Sequence, residues 1–126
     1  MSDVDTTIEA YVGMWNEPDP LRRATYVERA WTDEGHYVDP LLEAQGHAAL
    51  SDMIAAVHEQ FPDHRLRRVS GIDVHHSLLR FAWELVGPDG AVAVAGIDIG
   101  VLAPDGRLSR IAGFLGDLPA AEEKAA

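Results

Sequence analysis

Apolar positions follow helical spacing through the first half of the chain and strand spacing through the second. Ile8, Tyr11, Val12 and Trp15 stand at i, i+3, i+4 and i+7 behind Thr6-Thr7-Ile8-Glu9, which reads as a capping box. They predict an amphipathic helix ending near Asn16, before Glu17-Pro18-Asp19-Pro20. Asp19 then caps a second helix with Pro20 at its first position, running to about Trp31 with Leu21, Ala24, Val27 and Trp31 on its apolar face. Thr32-Asp33-Glu34-Gly35 breaks it, and His36-Tyr37-Val38-Asp39 is a short strand stopped by Pro40. Leu50, Met53, Ile54, Val57 and Phe61 mark a third helix closed by Pro62.

Beyond Pro62 the pattern is β. Leu66–Val74, Leu78–Val86, Ala91–Leu102 and Arg107–Leu115 read as strands, the later ones joined by Gly87-Pro88-Asp89-Gly90 and Pro104-Asp105-Gly106. Helices followed by hairpin-linked strands give an α+β fold: a strongly bent, largely antiparallel sheet with the helices on one face. One domain over residues 1–126 is expected, with the tail from Ala120 frayed.

One charge interrupts the most apolar strand. Asp98 is the only charged residue between Asp89 and Asp105. A carboxyl group there must be neutralised, hydrogen-bonded or turned into a cavity, because a bare buried carboxylate is very costly. Gly96 and Gly100 flank it on the same face, which suits a bend in the sheet or room for a ligand. Asp39 precedes Pro40, which excludes helical geometry at Asp39; it is a turn-initiating residue or a directed acid. Tyr11 lies on the apolar face of the first helix, as a core tyrosine or a hydroxyl carried inward.

Composition narrows the function classes. A formal net charge of −11 across 126 residues argues against a nucleic-acid partner, which needs clustered Lys and Arg. Arg65, Arg67 and Arg68 alternate with Leu66 and Val69 as a solvated strand face would. The absence of cysteine excludes disulfides, thiolate metal sites and thiol nucleophiles. No apolar run approaches the ~20 residues of a membrane span, and the first residues lack the basic and apolar regions of a signal peptide, so a cytoplasmic protein is expected. His75 and His76 are adjacent and face opposite sides of a strand, and His36, His47, His58 and His64 show no ligand spacing. Neither a metal nor a cofactor is expected. Arg80 and Glu84 are assigned to an outer strand surface. A sheet face carrying Leu79, Phe81 or Trp83 would need cover, which predicts a homodimer.

Several short motifs occur in a fixed order: Tyr11-Val12-Gly13-Met14-Trp15-Asn16, Val38-Asp39-Pro40, Gly96-Ile97-Asp98, Asp105-Gly106-Arg107-Leu108 and Gly113-Phe114-Leu115-Gly116. In these the chain resembles the nuclear transport factor 2-like superfamily, and within it the ketosteroid isomerase and SnoaL-like branch, from Ile8 to about Leu118. The resemblance implies a cone-shaped sheet wrapped around three helices and a pocket for a small hydrophobic molecule. It implies proton transfer next to a carbonyl, with Asp39 as base and with Tyr11 and a protonated Asp98 as hydrogen-bond donors. Ketosteroid isomerase itself illustrates that use of a neutral carboxyl group. Trp15, Val38, Gly96, Gly100 and Phe114 would then line the substrate. The same resemblance admits a SnoaL-like polyketide cyclase with Asp98 as its acid/base, or a ligand-binding or dimerisation module without catalysis. It also admits an epoxide hydrolase if Arg80 points inward.

Overall fold

The computed structural model describes residues 3–123. Helices α1 (Asp3–Asn16) and α2 (Pro20–Ala30) lead into strand β1 (Trp31–Val38) and a short return strand, β2 (Glu43–Gln45). Helix α3 (His47–Gln60) follows, then β3 (Arg65–Arg68), β4 (Asp73–His75), β5 (Leu78–Val86), β6 (Val92–Leu102) and β7 (Leu108–Leu115). The sheet runs β2-β1-β7-β6-β5-β3, with β4 also on β5. All pairs are antiparallel except β1 with β7, which is parallel, so the sheet is mixed. The three helices cover one face, as the α+β pattern requires.

Several boundaries depart from the sequence reading for physical reasons. Helix α1 is already formed at Asp3, the first described residue, with Asp3 and Asp5 in its first described turn where the helix dipole favours acids. The Thr7 hydroxyl donates to the Gly106 carbonyl at 2.8 Å. Helix α2 does keep its Asp19 cap, which accepts from the Leu21 amide, but its buried side is Arg23, Val27 and Ala30. Leu21 is 82 % exposed. Trp31 is already extended and fully buried, and it opens β1 instead of ending the helix. The predicted Leu66–Val74 strand is two strands, β3 and β4, each paired with a different stretch of β5. At the break the Ser70 hydroxyl accepts from the Ala82 amide at 2.8 Å, replacing a ladder bond. Of the tail, Ala121–Glu123 forms a single 3₁₀ turn, and residues 124–126 lie outside the described residues.

Two polar side chains bind the helical layer together. Arg23 is 2 % exposed, and its guanidinium donates to the carbonyls of Glu17, Pro18 and Ser51 and to the Ser51 hydroxyl. It therefore joins the α1–α2 turn to α3. Asn16, at the end of α1, accepts from the Leu66 amide at 2.7 Å and donates to the Leu66 carbonyl at 2.8 Å. That pair of bonds fixes β3 against the helix.

Alternation along β5 settles which face is which. Leu79, Phe81 and Trp83 are buried under the helices, opposite to the exposed face on which dimerisation was argued. The outer face instead carries Arg80, bonded to Asp73 at 2.8 Å, and Glu84, bonded to Arg67 at 2.7 Å, beside exposed Ile97, Ile99 and Phe114. Gly96 and Gly100 do share the inner face with Asp98, but neighbouring side chains fill their space. A Cβ at Gly96 would meet the Trp83 ring at 2.6 Å, and one at Gly100 would meet Ile111, Leu108 and Leu79 at 3.0–3.1 Å. Register shifts in β1/β7, β5/β6 and β6/β7 are the observed irregularities that bend the strands.

Gly96→Ala should therefore destabilise the fold by about 1–3 kcal/mol through overpacking, read as a lowered Tm in calorimetry. Gly71→Ala, at a site where an added Cβ meets nothing within 4 Å, is the control expected to stay within about 0.5 kcal/mol. Equal Tm values for the two variants would refute the packing role of Gly96.

Candidate active site

The centre of β6 places Asp98 opposite Phe81 on β5 and Gly113 on β7. Asp98 is 2 % exposed. Its Oδ2 accepts from the Tyr11 hydroxyl at 2.7 Å, and its Oδ1 accepts from the Trp83 indole N–H at 3.1 Å. Burial pushes the Asp98 carboxyl up to about 6; the Tyr11 and Trp83 bonds oppose the rise, and the charge of Asp39 adds to it. Tyr11 is fully buried, stacked on Trp31 at 6.2 Å and edge-on to Trp15 and Phe81. Its hydroxyl is driven well above the ordinary tyrosine value by burial first and by the Asp98 charge second.

Asp39 follows the end of β1. Its Oδ1 accepts from the backbone amides of Leu41 and Leu42 at 2.8 and 2.9 Å, the Asx-turn geometry expected before Pro40. Its Oδ2 accepts from the Tyr37 hydroxyl at 2.6 Å. Tyr37 is 3 % exposed, and burial, followed by the Asp98 charge, raises its hydroxyl far above the ordinary value. The two tyrosine–aspartate pairs meet across Gly113. A Cβ there would lie 2.9 Å from Asp98 Oδ1, 3.2 Å from Asp39 Cβ and 3.6 Å from the Tyr37 hydroxyl. A glycine on β7 is what lets both acids occupy this place.

Both pairs open into one cavity of about 140 Å³. Tyr11, Trp15, Tyr37, Asp39, Trp83 and Asp98 line its reactive side; the remaining walls are Gln60 and apolar residues such as Val57, Phe61, Leu66, Val94 and Leu115. No Lys, Arg or His is among the lining residues. A cavity of about 150 Å³ accepts a benzene-sized molecule, so the inner part of this one, which opens to solvent, has room for about one six-membered ring. Leu41, 79 % exposed, stands at the mouth.

Of the residues chosen from sequence, Tyr11, Trp15, Asp39 and Asp98 face this cavity. Val38 does not, because it alternates with Tyr37 and takes the opposite face of β1. Gly96 and Gly100 lie beneath packed side chains, and Phe114 is 59 % exposed on the outer face while its neighbour Leu115 lines the cavity. Those four lie outside the lining of this cavity. Arg80 is paired with Asp73 on the outer face of the sheet, the opposite face from Asp98. Sequence reasoning missed Tyr37 and Trp83 as polar members of the site. Strand alternation held the signal for Tyr37, which stands two residues before Asp39 and so shares its face.

No protein-family model matches the chain, and no curated protein matches it. Solved structures do. A candidate isomerase of the SnoaL-like family from Agrobacterium tumefaciens str. C58 aligns at 35 % identity over 93 % of this chain and 100 % of that one, with a TM-score of 0.86. This chain belongs to the SnoaL-like family. Below that identity the likeness is one of fold. A protein with a cystatin-like fold from Methylobium petroleophilum PM1 matches at 17 % identity and TM-score 0.75, covering 98 % of this chain and 82 % of that one. A candidate SnoaL-like polyketide cyclase from Jannaschia sp. CCS1 matches at 15 % and 0.65, covering 86 % and 84 %. The curved mixed sheet and three helices of this SnoaL-like protein are thus the frame those structures share. No helix among its described residues is long and apolar enough to cross a membrane.

The raised affinity of Asp98 for a proton makes stability depend on pH. A proton binds the folded chain more tightly, near pH 6, than the unfolded chain, near pH 4. The contribution is full below about pH 4 and is lost as pH rises through about 6, on the order of 3 kcal/mol in all. Denaturant melts of wild type and Asp98→Asn from pH 4 to 7 should show wild type losing that much relative to the variant. Parallel curves would contradict the buried-acid assignment.

Proposed function

We propose that this SnoaL-like protein is a small-molecule enzyme that moves a proton next to a carbonyl group on a hydrophobic substrate, in the manner of ketosteroid isomerase. The observation that carries the reading is the convergence of Tyr11, Asp39 and Asp98 on one apolar cavity. Carbonyl isomerisation needs a base beside the C–H and hydrogen-bond donors at the oxygen where charge develops. Asp39 is the base, its carboxylate steered toward the cavity by the Asx turn. Tyr11 and Asp98 are the donors, and Asp98 donates when it holds its proton, which its burial favours below about pH 6. The lining has two acids and no cation, which disfavours a substrate that is anionic at the reacting end. One ring fits the inner part of the cavity and the rest of a larger substrate extends past Leu41.

A second reading rests on the hydrogen bonds at Asp98. A carboxyl group that accepts from Tyr11 and Trp83 and titrates near 6 is suited to take and return protons near neutrality, as an aldol ring closure requires. In that case Asp98 is the acid/base of a cyclase-type reaction and Asp39 orients the substrate. Arg80, outside the cavity, leaves the epoxide hydrolase arrangement without support.

The first reading is tested by isomerisation of a β,γ-unsaturated steroid ketone with wild type and Asp39→Asn. Loss of general-base catalysis lowers kcat by about 10²- to 10⁴-fold, and equal rates would remove Asp39 from the mechanism. A homodimer across the outer sheet face, around Ile97, Ile99 and Phe114, is part of the same proposal. Sedimentation should show a two-chain species in wild type and a single-chain species in Phe114→Asp; a monomeric wild type would count against it.

A further inference from the structure

We propose that Tyr37 is a catalytic residue whose hydroxyl hydrogen is handed from Asp39 to the substrate oxygen at the moment Asp39 takes up a proton. The inference rests on the isomerase reading, in which Asp39 is the base, and adds a donor to it.

The geometry around Asp39 leaves few alternatives for its proton. Oδ1 is turned back into its own loop and is occupied by the amides of Leu41 and Leu42. Asp39 lines the cavity, and its Oδ2 receives, among the described residues, only the Tyr37 hydroxyl, at 2.6 Å. A proton abstracted from substrate therefore forms its bond at Oδ2. The charge-assisted bond from Tyr37 depends on the negative charge of that oxygen, and protonation removes it. The new Oδ2–H can then donate to the Tyr37 oxygen, and the tyrosine hydrogen turns away from Asp39. Tyr37 is 3 % exposed and lines the cavity, so the hydrogen turns toward the bound substrate.

The step balances without any other reagent. The substrate C–H bond breaks, its proton forms the O–H bond of Asp39, and the electron pair stays on the substrate as an enolate. The Tyr37 hydrogen only rotates, so no net charge moves through the phenol. Returning the proton to a different carbon restores the Asp39 charge and draws the Tyr37 hydrogen back.

This donor also answers a difficulty in the site. While Asp98 is a carboxylate, the Tyr11 hydrogen is committed to it at 2.7 Å, and the Asp98 oxygens accept rather than donate. Tyr37 feels the Asp98 charge but donates to Asp39, not to Asp98. Its hydrogen is held by the base itself, and it becomes free only when the enolate needs it.

Asp39→Asn reproduces the neutral form of the base, because an amide N–H can donate to the Tyr37 oxygen as a carboxylic acid does. The experiment measures 2-cyclohexen-1-one binding to wild type, Asp39→Asn, Tyr37→Phe and the double variant, with Kd from titration and the enone absorption band as the hydrogen-bond signal. Tyr37→Phe should weaken binding about tenfold in the Asp39→Asn background, the value of one good hydrogen bond, and change it less than about twofold in wild type. The red shift of the bound enone should be strongest in Asp39→Asn and lost in the double variant. Equal losses in both backgrounds, as a packing role would give, overturn the assignment, as does failure of the enone to bind any of the four proteins. Steroid ketone turnover by wild type is measured alongside. Turnover without the coupling removes Tyr37 alone, whereas coupling without turnover removes the isomerase reading and leaves the Tyr37 donor.

Discussion

Keeping the carboxyl of Asp98 inside the sheet is the constraint around which the molecule is arranged. An acid at 2 % exposure must be given partners, and the two it has come from different layers. Tyr11 reaches it from the first helix and Trp83 from the neighbouring strand. Satisfying one oxygen each, they fix the position of α1 over β5 and β6. Hydrogen-bonded burial of this kind is directional, unlike the contacts of the surrounding aliphatic residues. The aromatic shell of Trp15, Trp31 and Phe81 around Tyr11 holds the phenol where the acid needs it.

The same constraint explains the glycines of the inner face. Trp83 can reach Asp98 because Gly96, two residues along β6, has no side chain in the path of its ring. Asp98 can sit beside Asp39 because Gly113 has none either. Each omission of a Cβ is local, yet together they set the shape of the cavity. Burial is the main cause of the raised proton affinity of Asp98, and the nearby Asp39 charge adds to it.

How much of this was legible in the sequence depended on whether the signal was local. Asp98 was conspicuous because its strand is otherwise apolar, and Asp39 and Tyr11 because their neighbours match an ordered set of motifs. The helices were legible from periodicity, except where a charged residue is buried: Arg23 has no apolar signature, and its place in the core follows from backbone carbonyls of Glu17, Pro18 and Ser51 that only the fold assembles. On β5 the alternation of Leu79, Phe81 and Trp83 with Arg80 and Glu84 says that the two sets are opposite, not which set meets the helices: Arg80 and Glu84 do lie outside, but the apolar set, argued onto an exposed face, is buried under the helices. Phe114 failed for the same reason, one residue out of step with Leu115. Trp83 as a donor to Asp98 depended on the β5–β6 register, which pairs Phe81, not Trp83, with that acid.

The parallel pairing of β1 with β7 has a consequence for how the chain folds. Trp31–Val38 can find its partner only when Leu108–Leu115 has been made, and β7 is the strand that lies between β1 and β6. Contacts so distant in sequence form late and slow the folding of a domain, because loop closure precedes any gain from them. Because β7 stands between β1 and β6, the turn bearing Asp39 is brought to Asp98 through that pairing. The nearness of the two acids therefore rests on the strand pairing most distant in sequence in the whole sheet.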